Sequence, residues 1–116
     1  METVSEKTAR YRAAIEEILA LVTAGQYLEE GIRDRALFDE KNDSYAVISA
    51  GWVKTEGRIH DIIADLEIVN GKVWIHADNT DIVIARKLEE RGIPKSDIVL
   101  GFRAPEVRAE TEFAVA

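Results

Sequence analysis

RIHDIIADLEIVNGKVWIHADNTD, residues 58–81, is the stretch that decides the predicted fold. Two runs of strand-forming residues meet in it at Asn70-Gly71. Asn-Gly is the strongest short signal for a two-residue β-hairpin, because both turn residues need a positive φ. The turn places Val69 opposite Lys72, and this pair sets the register of both strands.

That register gives the hairpin two different sides. One side is apolar and suited to packing against a helix, with three predicted pairs: Ile68 with Val73, Leu66 with Ile75, and Ala64 with Ala77. The reverse side pairs Glu67 with Trp74 and Asp65 with His76. Any function carried by this sheet is therefore predicted on the reverse side.

The residues before the hairpin predict two more strands. Arg35–Asp39 is one candidate, and the apolar segment Tyr45–Val53 is a stronger one, with turns at 41–44 and 54–57. A four-residue turn would pair Val53 with Arg58. Tyr45 and Val47 would then join the helix-packing side, and the reverse side would carry Ile48, Trp52, Ile59 and Ile63 beside Trp74. So much apolar surface requires a cover from this chain or from another protein.

Two helices are predicted to pack on the sheet. Residues 4–24 place Tyr11, Ala14, Ile15, Ile18, Leu19 and Val22 on one stripe, after a Thr3–Glu6 capping box and before a stop at Gly25. The second helix begins near Asp78–Thr80 and runs to about Arg91, with Ile84, Ala85 and Leu88 on one side. Ile98–Leu100 is a short buried run, and we expect the apolar C-terminus to lie against the sheet or a neighbouring subunit. His60 falls on the helix-packing side.

Composition excludes several classes of protein. The 116 residues provide for one domain, 1–116, with one core, and the absence of cysteine excludes disulfides and thiolate metal sites. The net charge of −7, from 22 acidic and 15 basic residues, argues against direct nucleic-acid binding. The N-terminus is unlike a secretory signal, and no apolar run approaches the roughly 20 residues that cross a bilayer. We expect a cytoplasmic protein without membrane contact.

The string GKVWIHADNTD, followed by GIPKSDIVLGFRAPEVRAETEFAVA, resembles the XisI family, named for the fdxN-element excision controlling factor of cyanobacteria. The resemblance extends over essentially the whole chain and includes the FDE motif at 38–40 and Gly51-Trp52. It implies an α+β fold with an antiparallel sheet of about four strands and helices packed on it. It also implies a role in the control of programmed DNA excision, beside an XisH-like protein with an endonuclease-type fold. The family offers no established catalytic residues, and the chain departs from its usual pattern at Asp65, often His, and at His76, often Gln.

Two uses of the reverse side compete at the level of residues. Asp65, His76 and Asp78 form a candidate polar site that could hold a divalent metal ion for a hydrolase or nuclease. The simpler interpretation is a cross-strand His–Asp ion pair with no metal and no catalytic residue. The carboxylates Asp61, Asp65 and Glu67 do not form a nuclease core. Such a core needs a carboxylate and a lysine two apart on one strand face, and the Asn-Gly turn separates Glu67 from Lys72.

The interpretation we favour is a non-enzymatic regulatory protein without a cofactor. Its predicted interaction surface comprises Trp52, Ile59, Ile63, Trp74, Phe102, Arg103 and Phe113. Tryptophan anchors are favoured in protein interfaces, although core packing of both tryptophans is an equal competitor. The expected partners are an XisH-like protein and a second copy of the chain in a dimer. An antitoxin-like inhibitor of a nuclease partner is a further version of this function.

Overall fold

One five-stranded sheet with a long helix across one face makes up the fold in the computed structural model, which describes residues 1–24 and 31–116. The strands follow chain order across the sheet and are antiparallel, except that β5 runs parallel to β4. The predicted α+β class is confirmed, with five strands where about four were expected. The elements are α1 (Val4–Ala24), β1 (Ile32–Asp39), β2 (Ser44–Val53), β3 (Gly57–Val69), β4 (Lys72–Asp78), α2 (Ile84–Glu90), a 3₁₀ turn (Lys95–Asp97), β5 (Ile98–Leu100) and α3 (Pro105–Arg108).

Helix α1 begins as the capping box predicts. The Thr3 amide donates to Glu6 Oε1 at 3.0 Å, and the Glu6 amide donates to Thr3 Oγ1 at 3.0 Å, so two free amides at the helix start are satisfied. Five residues of the predicted stripe are buried and Val22 is partly buried, in one core with Tyr45, Val47, Ala64, Leu66, Val73 and Ile75 of the sheet. The predicted stop at Gly25 lies outside the described residues.

The Asn70-Gly71 turn sets the predicted register next to it. Asn70 and Gly71 take φ values of 50° and 77°, as a two-residue hairpin turn requires. Four of the predicted pairs are confirmed, from Val69–Lys72 to Leu66–Ile75. Beyond them His76 is an extra residue on β4, a β-bulge that pairs Asp65 with Ala77 and Ala64 with Asp78. The predicted pairs Asp65–His76 and Ala64–Ala77 are therefore wrong.

The β2–β3 hairpin contains a second bulge. Its turn is one residue shorter than predicted, so Val53 pairs with Gly57 and Trp52 with Arg58. An extra residue of β3 between the Val47–Ala64 and Ile48–Ile62 pairs then restores the predicted register nearer the core. The predicted placement of Tyr45 and Val47 beside Ala64 and Leu66 is correct for this reason.

The outer half of β3 presents the opposite side chains from those predicted. Ile62 pairs with Ile48 and is exposed, whereas Ile63 packs against the buried core. Ile59 pairs with Gly51, and Arg58 pairs with Trp52. Because adjacent strand residues face opposite sides, Ile59 lies on the side opposite Trp52 and Arg58. The predictions that Ile59 and Ile63 lie on the reverse side are wrong, and so is the core-facing position of His60, which is exposed. The bulge in β3 shifts the alternation by one residue and accounts for all three errors.

The C-terminal third closes the other edge of the sheet. α2 buries Ile84, Ala85 and Leu88 as predicted, but it begins later than expected, at Ile84. The tail is docked, because the Ala114 amide donates to the Ile98 carbonyl at 2.9 Å and Ala114 forms a parallel bridge with Val99. Within the described residues, no helix is both long and apolar enough to cross a membrane.

Candidate interaction surface

The sheet face opposite α1, here called the reverse face, is divided into a covered part and an open part. The covered part lies at β4, where Arg108 of α3 stacks over the Trp74 ring at 5.1 Å. The same ring stacks with His76 at 6.0 Å between centroids, and Gly101 lies so close that a Cβ would be 3.2 Å from Trp74 Cε3. Trp74 is thus held by its own chain and is only half-buried.

The open part lies over β1, β2 and the outer half of β3. Trp52 is 69% exposed, Ile62 54% and Leu37 45%. The register puts all three on one face: Leu37 pairs with Ala46, Ile62 with Ile48, and Trp52 with Arg58. Large apolar side chains grouped on a sheet face that no described residue covers are typical of protein interfaces.

A cationic hollow lies at the end of this open part. It encloses about 390 Å³, and its lining is formed by Arg33, Arg35, Ala50, Gly51, Trp52 and Arg58. The three arginines are exposed, and none has a hydrogen bond or ion pair to a described residue. We call it the Arg–Trp hollow.

A larger groove lies between α2 and the C-terminal segment, on the other side of the β5 edge. It encloses about 590 Å³ and includes three of the predicted interaction residues, Phe102, Arg103 and Phe113. Phe102 is 45% exposed with Arg103 stacked on its ring at 5.1 Å, whereas Phe113 packs partly against the core. The predicted interaction residues therefore fall into separate places: Trp52 on the open part, Trp74 on the covered part, and these three at the groove.

The candidate polar site is not assembled as the sequence suggested. His76 Nε2 lies 2.9 Å from Glu67 Oε1, and the bulge pairs Asp65 with Ala77 instead of His76. Asp78 accepts the Ile84 amide at 2.9 Å and the Thr80 amide at 3.0 Å, so its carboxylate supports the start of α2. No group of three or more His, Asp or Glu side chains with metal-binding geometry occurs in the described part of the chain.

One tyrosine and one glutamate on α1 have raised pKa values. Burial and a hydrogen bond to Asp97 raise the pKa of Tyr11 to about 12. Burial and the neighbouring Glu40 carboxylate raise the pKa of Glu16 above its usual value. Both groups lie on α1, away from the reverse face, so neither indicates a catalytic group there.

The fold has known counterparts. A sequence model described as XisI protein matches residues 5–115, so the chain belongs to the XisI family. No curated protein matches it. The crystal structure of the fdxN element excision controlling factor XisI from Anabaena variabilis ATCC 29413 is 39% identical, with a TM-score of 0.80 over 95% of this chain and 99% of that one.

A XisI-like protein from the same organism is similar as well. It is 27% identical, and its crystal structure superposes with a TM-score of 0.86 over 94% of this chain and 99% of that one. The resemblance stated from the sequence motifs is thereby confirmed for the family and for the fold.

Sequence reasoning missed the three arginines of the hollow. Arg33 and Arg35 are two apart, which on a strand places both on one face, but the predicted strand began only at Arg35. Arg58 was assigned to the opposite face by the register error at the β2–β3 turn. The spacing of Arg33 and Arg35 was the available signal for a basic cluster on one face. Placing Arg58 beside them required the correct register of β2 and β3.

Proposed function

We propose that this protein is a non-enzymatic regulatory protein that binds another protein in the control of DNA-element excision. Membership of the XisI family supports this proposal, together with the name of the 39% identical relative, an excision controlling factor. The single observation that carries the binding mode is the 69% exposure of Trp52 on a sheet face that the described residues leave open. A tryptophan so exposed loses favourable burial unless a partner covers it.

The proposed partner is an XisH-like protein with an endonuclease-type fold. Trp52, Leu37 and Ile62 would be buried in the centre of the contact, where aromatic anchors contribute most of the binding energy. The charged side chains around them would act mainly on the rate of encounter and on its specificity. Binding would either restrain the partner, as an inhibitor does, or bring it to its target.

Co-purification of the two proteins at about 50 mM salt tests this proposal. We expect a complex that Ile62→Ser weakens at least tenfold, since a buried apolar anchor is lost. Leu21→Ser is the matched control, because Leu21 is 53% exposed against 54% for Ile62 but lies on α1. The absence of any complex, or an equal effect of both substitutions, would contradict the proposal.

The sign of regulation follows from a second measurement on the same complex. If the XisH-like protein cleaves DNA, its rate with and without this protein separates an inhibitor from a targeting factor. A homodimer formed through the same surface is the alternative assembly. Sedimentation of this protein alone distinguishes it, since a dimer would appear without the partner and would be weakened by Ile62→Ser.

The competing function is a metal-dependent hydrolase that uses Asp65, His76 and Asp78. Two observations disfavour it: His76 contacts Glu67, and the Asp78 carboxylate already accepts hydrogen bonds from two backbone amides. Calorimetric titration with Mn²⁺ or Zn²⁺ tests it directly. Binding that His76→Gln abolishes would favour the hydrolase over the regulatory function.

A further inference from the structure

We propose that the Arg–Trp hollow receives an acidic, extended segment of the partner protein. The inference rests on the proposed function and deepens it, because it specifies the chemistry of the partner's contact. The contact would use carboxylates on the partner and guanidinium groups on this chain. Its polarity is opposite to that expected from the overall charge of −7.

The first observation is the distribution of charge. Half of the twelve other lysines and arginines are engaged by carboxylates in ion pairs, namely Lys7, Arg10, Arg12, Lys87, Arg91 and Lys95. Arg33, Arg35 and Arg58 have no such partner there and converge on one hollow. In a chain with a surplus of acids, three unpaired arginines in one place form a local site for an acidic ligand.

The second observation is the geometry given by the strand register. Ala50 lines the hollow, and its strand partners are Arg33 on β1 and His60 on β3. The Trp52–Arg58 pair lies next along β2 and β3. A small residue surrounded by long basic and aromatic ones leaves room for a side chain of another protein to enter and form charge-assisted hydrogen bonds.

The third observation is the free edge of the sheet. β1 is the outermost strand, and no strand of the described part pairs with its outer side. Arg33 and Arg35 are exposed, and residues two apart on a strand project on the same side about 6.6 Å apart. A partner segment added as a strand beside β1 would present alternate side chains at the same spacing. Glutamate or aspartate at alternate positions would therefore meet Arg33 and Arg35 together.

The remainder of the reverse face favours a protein over a nucleic acid. Asp65 pairs with Ala46 and Glu67 with Ser44, so two carboxylates flank the open part toward the β3–β4 turn. A phosphate backbone extending in that direction would meet these carboxylates after only three arginines. A protein segment needs no continuous run of positive charge, and its apolar side chains can cover Leu37, Ile48 and Ile62.

Peptide titration of the whole protein is the first test. The probes are the peptide Thr-Glu-Val-Glu-Thr, its Thr-Gln-Val-Gln-Thr counterpart and a ten-nucleotide oligothymidylate. Tryptophan fluorescence of the protein at 50 mM salt measures the binding of each probe. We expect the glutamate peptide to bind at least tenfold more tightly than either other probe. Arg35→Glu should weaken its binding at least tenfold, and Lys41→Glu, an equal change of charge in the β1–β2 turn, less than twofold.

Three outcomes would overturn the inference. They are tighter binding of the oligothymidylate, which would indicate a nucleic-acid site; equal binding of the glutamate and glutamine peptides; and no binding of the glutamate peptide at millimolar concentration. A separate sedimentation experiment tests self-association. If the wild type dimerises and Arg35→Glu does not, the inference is overturned in favour of a second copy of this chain at the hollow.

A second test separates this inference from the proposed function. In the co-purification with the XisH-like protein, Arg35→Glu should weaken the complex at least tenfold and Lys41→Glu should not. A complex that forms equally well with Arg35→Glu would overturn the docking inference and leave the proposed function intact. Binding of the glutamate peptide without any complex would overturn the proposed partner and leave the acidic-ligand site intact.

Discussion

Tyr11 on α1 donates a hydrogen bond to the carboxylate of Asp97, 86 residues further along the chain. The same carboxylate lies 2.9 Å from Lys7 Nζ, one turn before Tyr11 on the helix. Asp97 ends the 3₁₀ turn that leads into β5, and its side chain is only 16% exposed. One partly buried carboxylate therefore joins the N-terminal helix to the C-terminal edge of the sheet.

Replacement of this carboxylate should weaken the fold. We expect Asp97→Asn to lower the free energy of unfolding by about 1–3 kcal/mol, because Lys7 loses its partner and Tyr11 a charged acceptor. Urea denaturation followed by circular dichroism measures the change. Glu112→Gln is the control, since Glu112 pairs with Lys95 at 2.7 Å but is 78% exposed. An equal shift in the two variants would contradict the prediction.

The same group predicts a dependence of stability on acid pH. Burial raises the pKa of Asp97, but the bonds from Lys7 and Tyr11 outweigh burial and hold that pKa below its usual value. The unfolded state therefore binds the proton more readily, so this contribution is present above about pH 4 and is lost as pH falls through the folded pKa. The difference between the wild type and Asp97→Asn should be full at pH 6 and small near pH 2. A difference that stays constant over this range would contradict the assignment.

Two tyrosines predict the opposite dependence at alkaline pH. Burial is the largest cause that raises the pKa of Tyr11 and of Tyr45, each from 10.0 to about 12. The folded state then holds these protons more tightly than the unfolded state, so their contribution is full below pH 10 and falls as pH rises to about 12. Tyr45→Phe should lessen the loss of stability between pH 10 and pH 12, as measured by urea denaturation. A loss as steep as that of the wild type would contradict this origin.

The sequence predicted those parts of the fold that local chemistry controls. Asn70-Gly71 determined four cross-strand pairs because few other residues accept the φ values of that turn. The apolar stripe of α1 and its capping box could be predicted equally well, since both depend on spacings within one helix. These predictions needed no information about how distant parts of the chain pack.

The bulges at β3 and β4 could not be predicted in this way. A strict two-residue alternation gives no sign of an extra residue, and both Ile62 and Ile63 fit an apolar position. The register error assigned Arg58 to the wrong face and so hid the Arg–Trp hollow. The predicted Asp65–His76 pair of the candidate polar site was wrong for a related reason, because it assumed an unbroken β4.

Asp78 provides a test of whether the candidate polar site is structural. We expect Asp78→Ala to lower the free energy of unfolding by about 1–2 kcal/mol, because the amides of Thr80 and Ile84 lose their acceptor at the start of α2. Urea denaturation measures this effect. Asp65→Asn, which removes no acceptor of backbone amides, should change stability by less than about 0.5 kcal/mol. A larger loss from Asp65→Asn would indicate a role for Asp65 that the contacts do not explain.

The two tryptophans should respond differently to substitution, because Trp74 packs against described residues of its own chain, whereas none of the described residues covers Trp52. Trp74→Ala should lower the free energy of unfolding by about 2–3 kcal/mol, since it removes the ring between Arg108, His76 and Gly101. Trp52→Ala should change it by less than about 0.5 kcal/mol, because Trp52 is 69% exposed. Urea denaturation of both variants gives the comparison.

Binding should show the reverse order. Trp52→Ala is expected to weaken the complex with the partner at least tenfold, because it removes the aromatic anchor of the open surface. Trp74→Phe, which keeps an apolar ring under Arg108, should leave the affinity within about twofold. Co-purification measures the affinity of each variant. Because each variant keeps one tryptophan, acrylamide quenching of its fluorescence reports whether that tryptophan becomes covered in the complex. A folded Trp52→Ala variant that binds as tightly as the wild type would show that the open part of the reverse face is not the contact surface.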